Sequence, residues 1–159
     1  MNDSVSADLE QRLWNELAPS AFAFVGLLND EGSDVPMTVH RDGQDHKSLW
    51  IFTTPHCRLS DEGPAVAHYT NTSQDLFARI SGTIRAEHDE ALIDRLWSPH
   101  IAAWYDDGRD DRDLAVLRLD IDQCEIWNAA TSPLTMVNRP AAAKAQDARQ
   151  GHHAIVSSR

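Results

Sequence analysis

The hydrophobic pattern of this chain starts helical and then shortens to strand-like alternation. Leu9, Leu13 and Leu17 recur at four-residue steps with Trp14 beside them, which predicts one amphipathic helix over residues 7–18. Ser6 is a candidate N-cap and Pro19 ends the helix. From Ala21 onward, short apolar runs are cut by turn clusters. Strands are predicted over Ala21–Leu28, Val35–Arg41 and Ser48–Thr54, the last two joined as a hairpin across Asp42-Gly43-Gln44-Asp45-His46. Pro36 marks a strand start or edge, because it cannot donate to a ladder. Ala65–Thr70 and Leu76–Ala86 follow. In the second, Ala78, Ile80, Gly82 and Ile84 share one face, and Arg79, Ser81, Thr83 and Arg85 the other. Leu92 with Leu96 and Ile93 with Trp97 predict a helix over Asp89–Trp97, capped by Asp89 and broken by Ser98-Pro99. Leu114–Ile121 alternates, Asp122-Gln123 turns, and Cys124–Ala129 resumes as a strand. Beyond Thr131 lies a tail with a helix-prone stretch, Ala141–Arg149, whose last ten residues are expected to be weakly ordered.

Strands joined mostly by short turns favour antiparallel pairing. The prediction is a mainly β fold: an antiparallel, Greek-key-like barrel of six to seven strands, with an N-terminal helix and a helical excursion before the late strands. One domain covers 1–159, with its core at about 7–130.

Composition agrees with a globular domain. Of 159 residues, 42% are hydrophobic and 25% charged, which excludes a disordered chain. No apolar run approaches the roughly 18 residues of a membrane-spanning helix. The start carries no cationic and apolar leader, so a cytoplasmic protein is expected, with Cys57 and Cys124 as free thiols. A net charge of −11 repels phosphodiester backbones and argues against nucleic acid as a partner. The 12 arginines against 2 lysines suit bidentate contact with phosphate or carboxylate, or reflect coding bias alone.

The usual catalytic and nucleotide-binding motifs are missing, and the eight histidines show no metal-ligand spacing. Two segments carry candidate chemistry. Thr53-Thr54-Pro55-His56-Cys57-Arg58 places two hydroxyls and a guanidinium at a strand end, a set suited to a phosphate monoester or simply a surface turn. Pro36-Met37-Thr38-Val39-His40 is an extended edge able to read the pyrimidine-like rim of a flat heterocycle. Trp50, Trp97 and Trp104 offer flat walls for it, or serve as core. His40 is the one residue to name as an acid or base.

The ordered set Pro36-Met37-Thr38-Val39, Leu49–Thr54, Arg58, Asp75–Gly82, Leu96–His100 with Trp104, and Cys124–Trp127 resembles the general stress protein 26 branch of the pyridoxamine 5′-phosphate oxidase-like family. The resemblance implies a split barrel acting as a homodimer, with FMN (or FAD) in a cleft between subunits. It implies that Met37, Thr38 and Val39 line the flavin ring, and that Ile51, Phe52, Thr53 and Thr54 run along the ribityl chain. Arg58 meets the phosphate, and Ser81 and Trp104 approach the cofactor, from the partner subunit if not from the same one. It leaves open a flavin-dependent oxidoreductase, a flavin reservoir or sensor without turnover, and a barrel for haem or deazaflavin. Leu59 stands where many relatives carry lysine. The segment Arg149–His153 does not resemble the one with which true oxidases grip the phosphorylated vitamin, so oxidation of that vitamin is not expected.

Overall fold

The computed structural model describes residues 2–43, 45–129 and 152–157. Helix α1 (Asn2–Leu17) begins before its apolar stripe does, with Ser6 inside the helix rather than capping it. Its buried face of Leu9, Leu13, Trp14 and Leu17 joins the main hydrophobic core. Seven strands follow: β1 (Ser20–Leu27), β2 (Val35–His40), β3 (Ser48–Thr53), β4 (Gly63–Thr70), β5 (Leu76–Ala86), β6 (Ala115–Asn128) and β7 (His152–Ser157). Their order is β3-β2-β1-β4-β5-β6-β7, and a β3–β6 pairing closes the first six into an antiparallel barrel. The predicted fold class is therefore the observed one, with β7 added outside the closure.

The alternation read from the sequence sets the inner wall. In β5, Leu76, Ala78, Ile80, Gly82 and Ile84 face inward while Phe77, Arg79, Ser81 and Thr83 face out. Ile80, Ile84, Leu119 and Ile126 are fully buried and meet Val25, Val39, Leu49 and Ile51 inside. Helix α2 (Glu90–Leu96) is capped by Asp89, which accepts from the Ala91 and Leu92 N–H groups. Helix α3 (Pro99–Ala102) is capped by Ser98, which accepts from Ile101 N–H. The helical excursion covers the outside of the barrel, where Leu92 and Ile93 pack on Trp50 and Val116. Trp50 is thus a core residue, and its indole N–H donates to Glu87 Oε2 at 3.0 Å.

Two expectations are corrected. Asp122-Gln123 does not turn the chain: β6 runs unbroken for 14 residues. The irregularity there is a register shift beside Ser81/Gly82, with Gly82 opposite Ile121 and Ser81 opposite Gln123. Nor are the last ten residues weakly ordered throughout. Within them, His152–Ser157 forms β7, which takes the free edge of β6 and buries Ala154. The helix expected at 141–149 lies outside the described residues.

Asp75, just before β5, fastens α1 to the sheet. Arg12 Nη2 donates to Asp75 Oδ1 at 2.8 Å, and Arg12 Nη1 donates to Asn128 Oδ1 at 3.2 Å. The Asn71 side-chain amide, then the Arg12 guanidinium, hold the Asp75 carboxyl below its ordinary range against the cost of desolvation. A lowered native value means stability that is present above the unfolded value of 3.8 and is lost as pH falls through the native one. Asp75→Asn is therefore expected to flatten the acid limb of the stability curve and leave its slope above pH ~5 unchanged. Urea melts across pH 2–6 would refute this if both proteins lost stability in parallel. Among the described residues, no helix is long and apolar enough to cross a membrane.

Candidate functional site

The barrel is closed everywhere except along one seam. Strand β2 pairs with β1 from Val35 to His40, yet it pairs with β3 at a single position, His40 opposite Trp50. Continuing that antiparallel register would set Val39 against Ile51, Thr38 against Phe52 and Met37 against Thr53, and none of these pairs forms. From His40/Trp50 the β2–β3 ladder stops, which leaves a split in the barrel wall where backbone N–H and C=O groups of the two edges have no ladder partner in each other. Such groups need partners.

Of the seven residues named from the sequence for a flat ring and its chain, Met37, Thr38, Val39, Ile51, Phe52 and Thr53 flank the split, and Thr54 follows directly after the end of β3. Their side chains divide by strand alternation. Val39 and Ile51 are fully buried and Met37 packs against the core, so at these positions a ligand meets backbone. Thr38 and Phe52 are half-buried on the outer side. Phe52 stands edge-on to His40 at 5.4 Å and to Trp97 at 6.0 Å. Burial holds the His40 imidazole below its usual range, and so neutral at pH 7.

The turns at the open end carry the charge. Arg58 begins the short 3-10 turn Arg58–Asp61 after β3, and it reaches across to the turn that leads into β2. Arg58 Nη2 donates to the Ser33 carbonyl at 2.6 Å, and Arg58 Nε lies 3.6 Å from Asp30 Oδ2. The guanidinium spans the mouth of the split and is half-exposed. Gly32 makes room for it, since a Cβ there would fall inside the guanidinium. The exit of β3 is fixed by two further bonds: Tyr105 O–H donates to the Thr53 carbonyl at 2.8 Å, and Ser60 O–H, from the same turn as Arg58, donates to the Thr54 carbonyl at 3.0 Å. Burial, with a smaller contribution from Asp111, pushes the Tyr105 phenol up to about 12, so it stays a donor. Cys57 and Cys124 are both free, and burial pushes the Cys124 thiol up to about 12.

The structure does not bring Ser81 to the split within one chain. Ser81 faces outward on β5 and accepts from Arg79 Nη1 at 3.1 Å, with β6 between it and β3. Trp104 projects from the end of α3 and is 84% exposed, next to the Tyr105 that fixes β3. Among the described residues, no three His, Cys, Asp or Glu side chains are placed to hold a metal ion.

The family model for pyridoxamine 5′-phosphate oxidase-like proteins matches residues 8–150. The chain belongs to the pyridoxamine 5′-phosphate oxidase-like family. Solved structures place this family member near general stress proteins. A general stress family protein of Xanthomonas campestris pv. campestris shares 36% identity over 79% of this chain and 90% of its own, with a TM-score of 0.72. The general stress FMN/FAD binding protein of Xanthomonas citri shares 34% identity over 79% of this chain and 92% of its own, also with a TM-score of 0.72. General stress protein 26 of Jannaschia sp. CCS1, at 23% identity, shares the fold over 96% of this chain and 99% of its own, with a TM-score of 0.76. Among curated proteins nothing matches the chain.

For this pyridoxamine 5′-phosphate oxidase-like protein, sequence reasoning missed the residues that grip Arg58 and β3. Asn29-Asp30-Glu31-Gly32 reads as a turn, and that reading is correct. That Asp30 faces Arg58 follows only from β1 and β2 bringing their turn beside the exit of β3. Tyr105 had no local signal either, because its partner Thr53 is 52 residues away.

Proposed function

We propose that this protein binds FMN in the β2–β3 split, as a homodimer, and that Arg58 holds the phosphate. The observation that carries this reading is the unzipped pair of strand edges ending at a half-exposed guanidinium. The donor set fits the group. Facing backbone N–H and C=O groups suit the alternating acceptors and donor of a flavin's pyrimidine rim, and a planar fork suits a phosphate monoester. The similarity to an FMN/FAD binding protein supports the same reading.

The second copy has a surface to sit on. Across the sheet, Phe24, His68, Arg79, Glu125 and Ile155 form one outward row. Phe22, 79% exposed, and Phe24, 56%, form an apolar patch on β1 of the kind that marks interfaces, and Ile155, 54% exposed, stands at the far end of the row beyond His68, Arg79 and Glu125. Pairing through this face would bury those aromatics and bring Ser81 of one copy toward the other, the route by which Ser81 could serve a cleft its own chain keeps it from.

Bound FMN would supply hydride or single-electron chemistry. This chain's residues bind and orient: the β2 and β3 edges hold the ring, Arg58 holds the ester, and Phe52 and Trp97 limit water on the outer side. Met37, Thr38, Val39, Ile51, Phe52 and Thr53 carry no titratable side chain, and the nearby His40 is neutral. That favours a second reading, flavin binding without proton-transfer catalysis. Anaerobic NAD(P)H titration separates the two, since rapid bleaching of the yellow protein supports an oxidoreductase and resistance supports a reservoir or sensor.

Arg58→Ala is expected to weaken FMN roughly tenfold or more, the scale of one hydrogen bond to a charged group, about 1.5–3 kcal/mol. Riboflavin, which lacks the phosphate, should bind the variant and the wild type equally. Fluorescence titration showing FMN and riboflavin bound alike by the wild type would overturn the anchor.

A further inference from the structure

Arg58 does not meet the split as a lone cation. Its Nε faces the Asp30 carboxylate and its Nη2 is bonded to the Ser33 carbonyl. Asp30 is itself held in position, because its other oxygen accepts from the Gly32 N–H at 2.9 Å, an Asx turn that fixes the carboxylate before any ligand arrives. Gly32 lets the guanidinium lie against the turn. The two turns that end the split are thus joined by an internal anion. The same Asp30 lines a shallow pocket of about 200 Å³ with Leu27, Asn29, Asp61, Glu62 and Pro64, whose three carboxylates disfavour an incoming phosphate on that side of the turn.

We propose that Asp30 is a built-in competitor for Arg58 that sets a charge threshold, so that only a dianionic phosphate monoester engages the site. The proposal rests on the FMN reading above and adds to it which phosphate chemistry is accepted. Asp30 is tethered, so its effective concentration at Arg58 is far above that of any free ligand. A monoanionic phosphodiester offers Arg58 one charge, no more than Asp30 already supplies, and leaves the internal pair intact. A monoester offers close to two charges and three acceptor oxygens, which is enough to take the guanidinium. A phosphodiester flavin would then bind as though it had no phosphate.

Three flavins that differ mainly in charge test this: riboflavin, riboflavin 4′,5′-cyclic phosphate (a monoanionic diester) and FMN. Binding is read by flavin fluorescence on the full chain. Asp30→Asn keeps an oxygen to accept from Gly32 N–H and removes only the charge, so the turn should persist; matched thermal melts check this. In the wild type the cyclic ester is expected to bind no tighter than riboflavin, with FMN tighter than both. In Asp30→Asn the cyclic ester should gain roughly tenfold over riboflavin, and FMN should tighten as well, while riboflavin is unchanged. A wild type that already prefers the cyclic ester to riboflavin, or a variant in which that ratio stays put, overturns the threshold. Equal binding of FMN and riboflavin by the wild type would instead overturn the Arg58 anchor itself, so the two failures are told apart.

Discussion

Gly82→Ala is expected to cost about 3 kcal/mol, the upper end of overpacking penalties, and to lower the melting temperature by roughly 6–12 °C. Gly82 faces inward on β5 where the register with β6 shifts. A Cβ there would fall on the Asp120 carbonyl oxygen, 2.8 Å from the Asp120 carbonyl carbon and 3.1 Å from Ile121 Cα. All three are backbone atoms of the paired strand, so no side chain can swing aside. The register shift also sets the direction of Ser81, the preceding residue, so the variant should lose flavin affinity beyond its loss of stability. Thr83→Ala, on the outer face of the same strand, is the control and should stay within about 0.5 kcal/mol. Melts at one protein concentration decide it: a Gly82→Ala protein within 2 °C or so of the wild type would mean that β5 and β6 have room to part.

The second large effect concerns the outer face. Phe22→Asp with Phe24→Asp is expected to raise the dimer dissociation constant roughly a thousandfold, since each substitution falls twice in a two-fold dimer and the four aromatics are taken as interface residues worth about 1 kcal/mol each. Phe22 lies opposite Thr38 and Phe24 opposite Pro36 and His68, so both project outward at the β1 end of the proposed interface and not into the barrel interior. The fold should survive, because neither ring belongs to the main core. FMN affinity should fall with the dimer if Ser81 or Trp104 serves the other subunit's cleft. Analytical ultracentrifugation reads the first result and flavin titration the second. A wild type that sediments as a monomer at tens of micromolar would remove this interface, and the cleft would then have to be complete within one chain.

Local patterns made most of the barrel legible. Leu76–Ala86 was readable as a strand with two faces because strand periodicity is a property of consecutive residues, and its burial follows that reading position by position. Asp89 and Ser98 were readable as helix boundaries because a cap acts within three residues. The misreadings share another cause. Asp122-Gln123 has turn chemistry, but eleven residues of β5 pair with β6 and carry the strand past it as a bulge. His152–Ser157 looks like a mobile tail until the unpaired edge of β6 is there to receive it.

The residues around the split were likewise nameable in advance, as an extended Met37-Thr38-Val39 and a strand ending in Thr53-Thr54 with Arg58 after it. By itself the sequence determined which residues could be extended, which faces could be apolar and which groups could carry charge, since those depend on neighbours along the chain. Only the tertiary structure decided that β2 and β3 touch at one pair and then part, that Val39 and Ile51 present backbone and not side chain, and that Asp30 stands across from Arg58. The reason is physical: a missing ladder and an ion pair between two turns are relations between segments, set by barrel closure through β3–β6, and no local propensity encodes which segments closure will bring together.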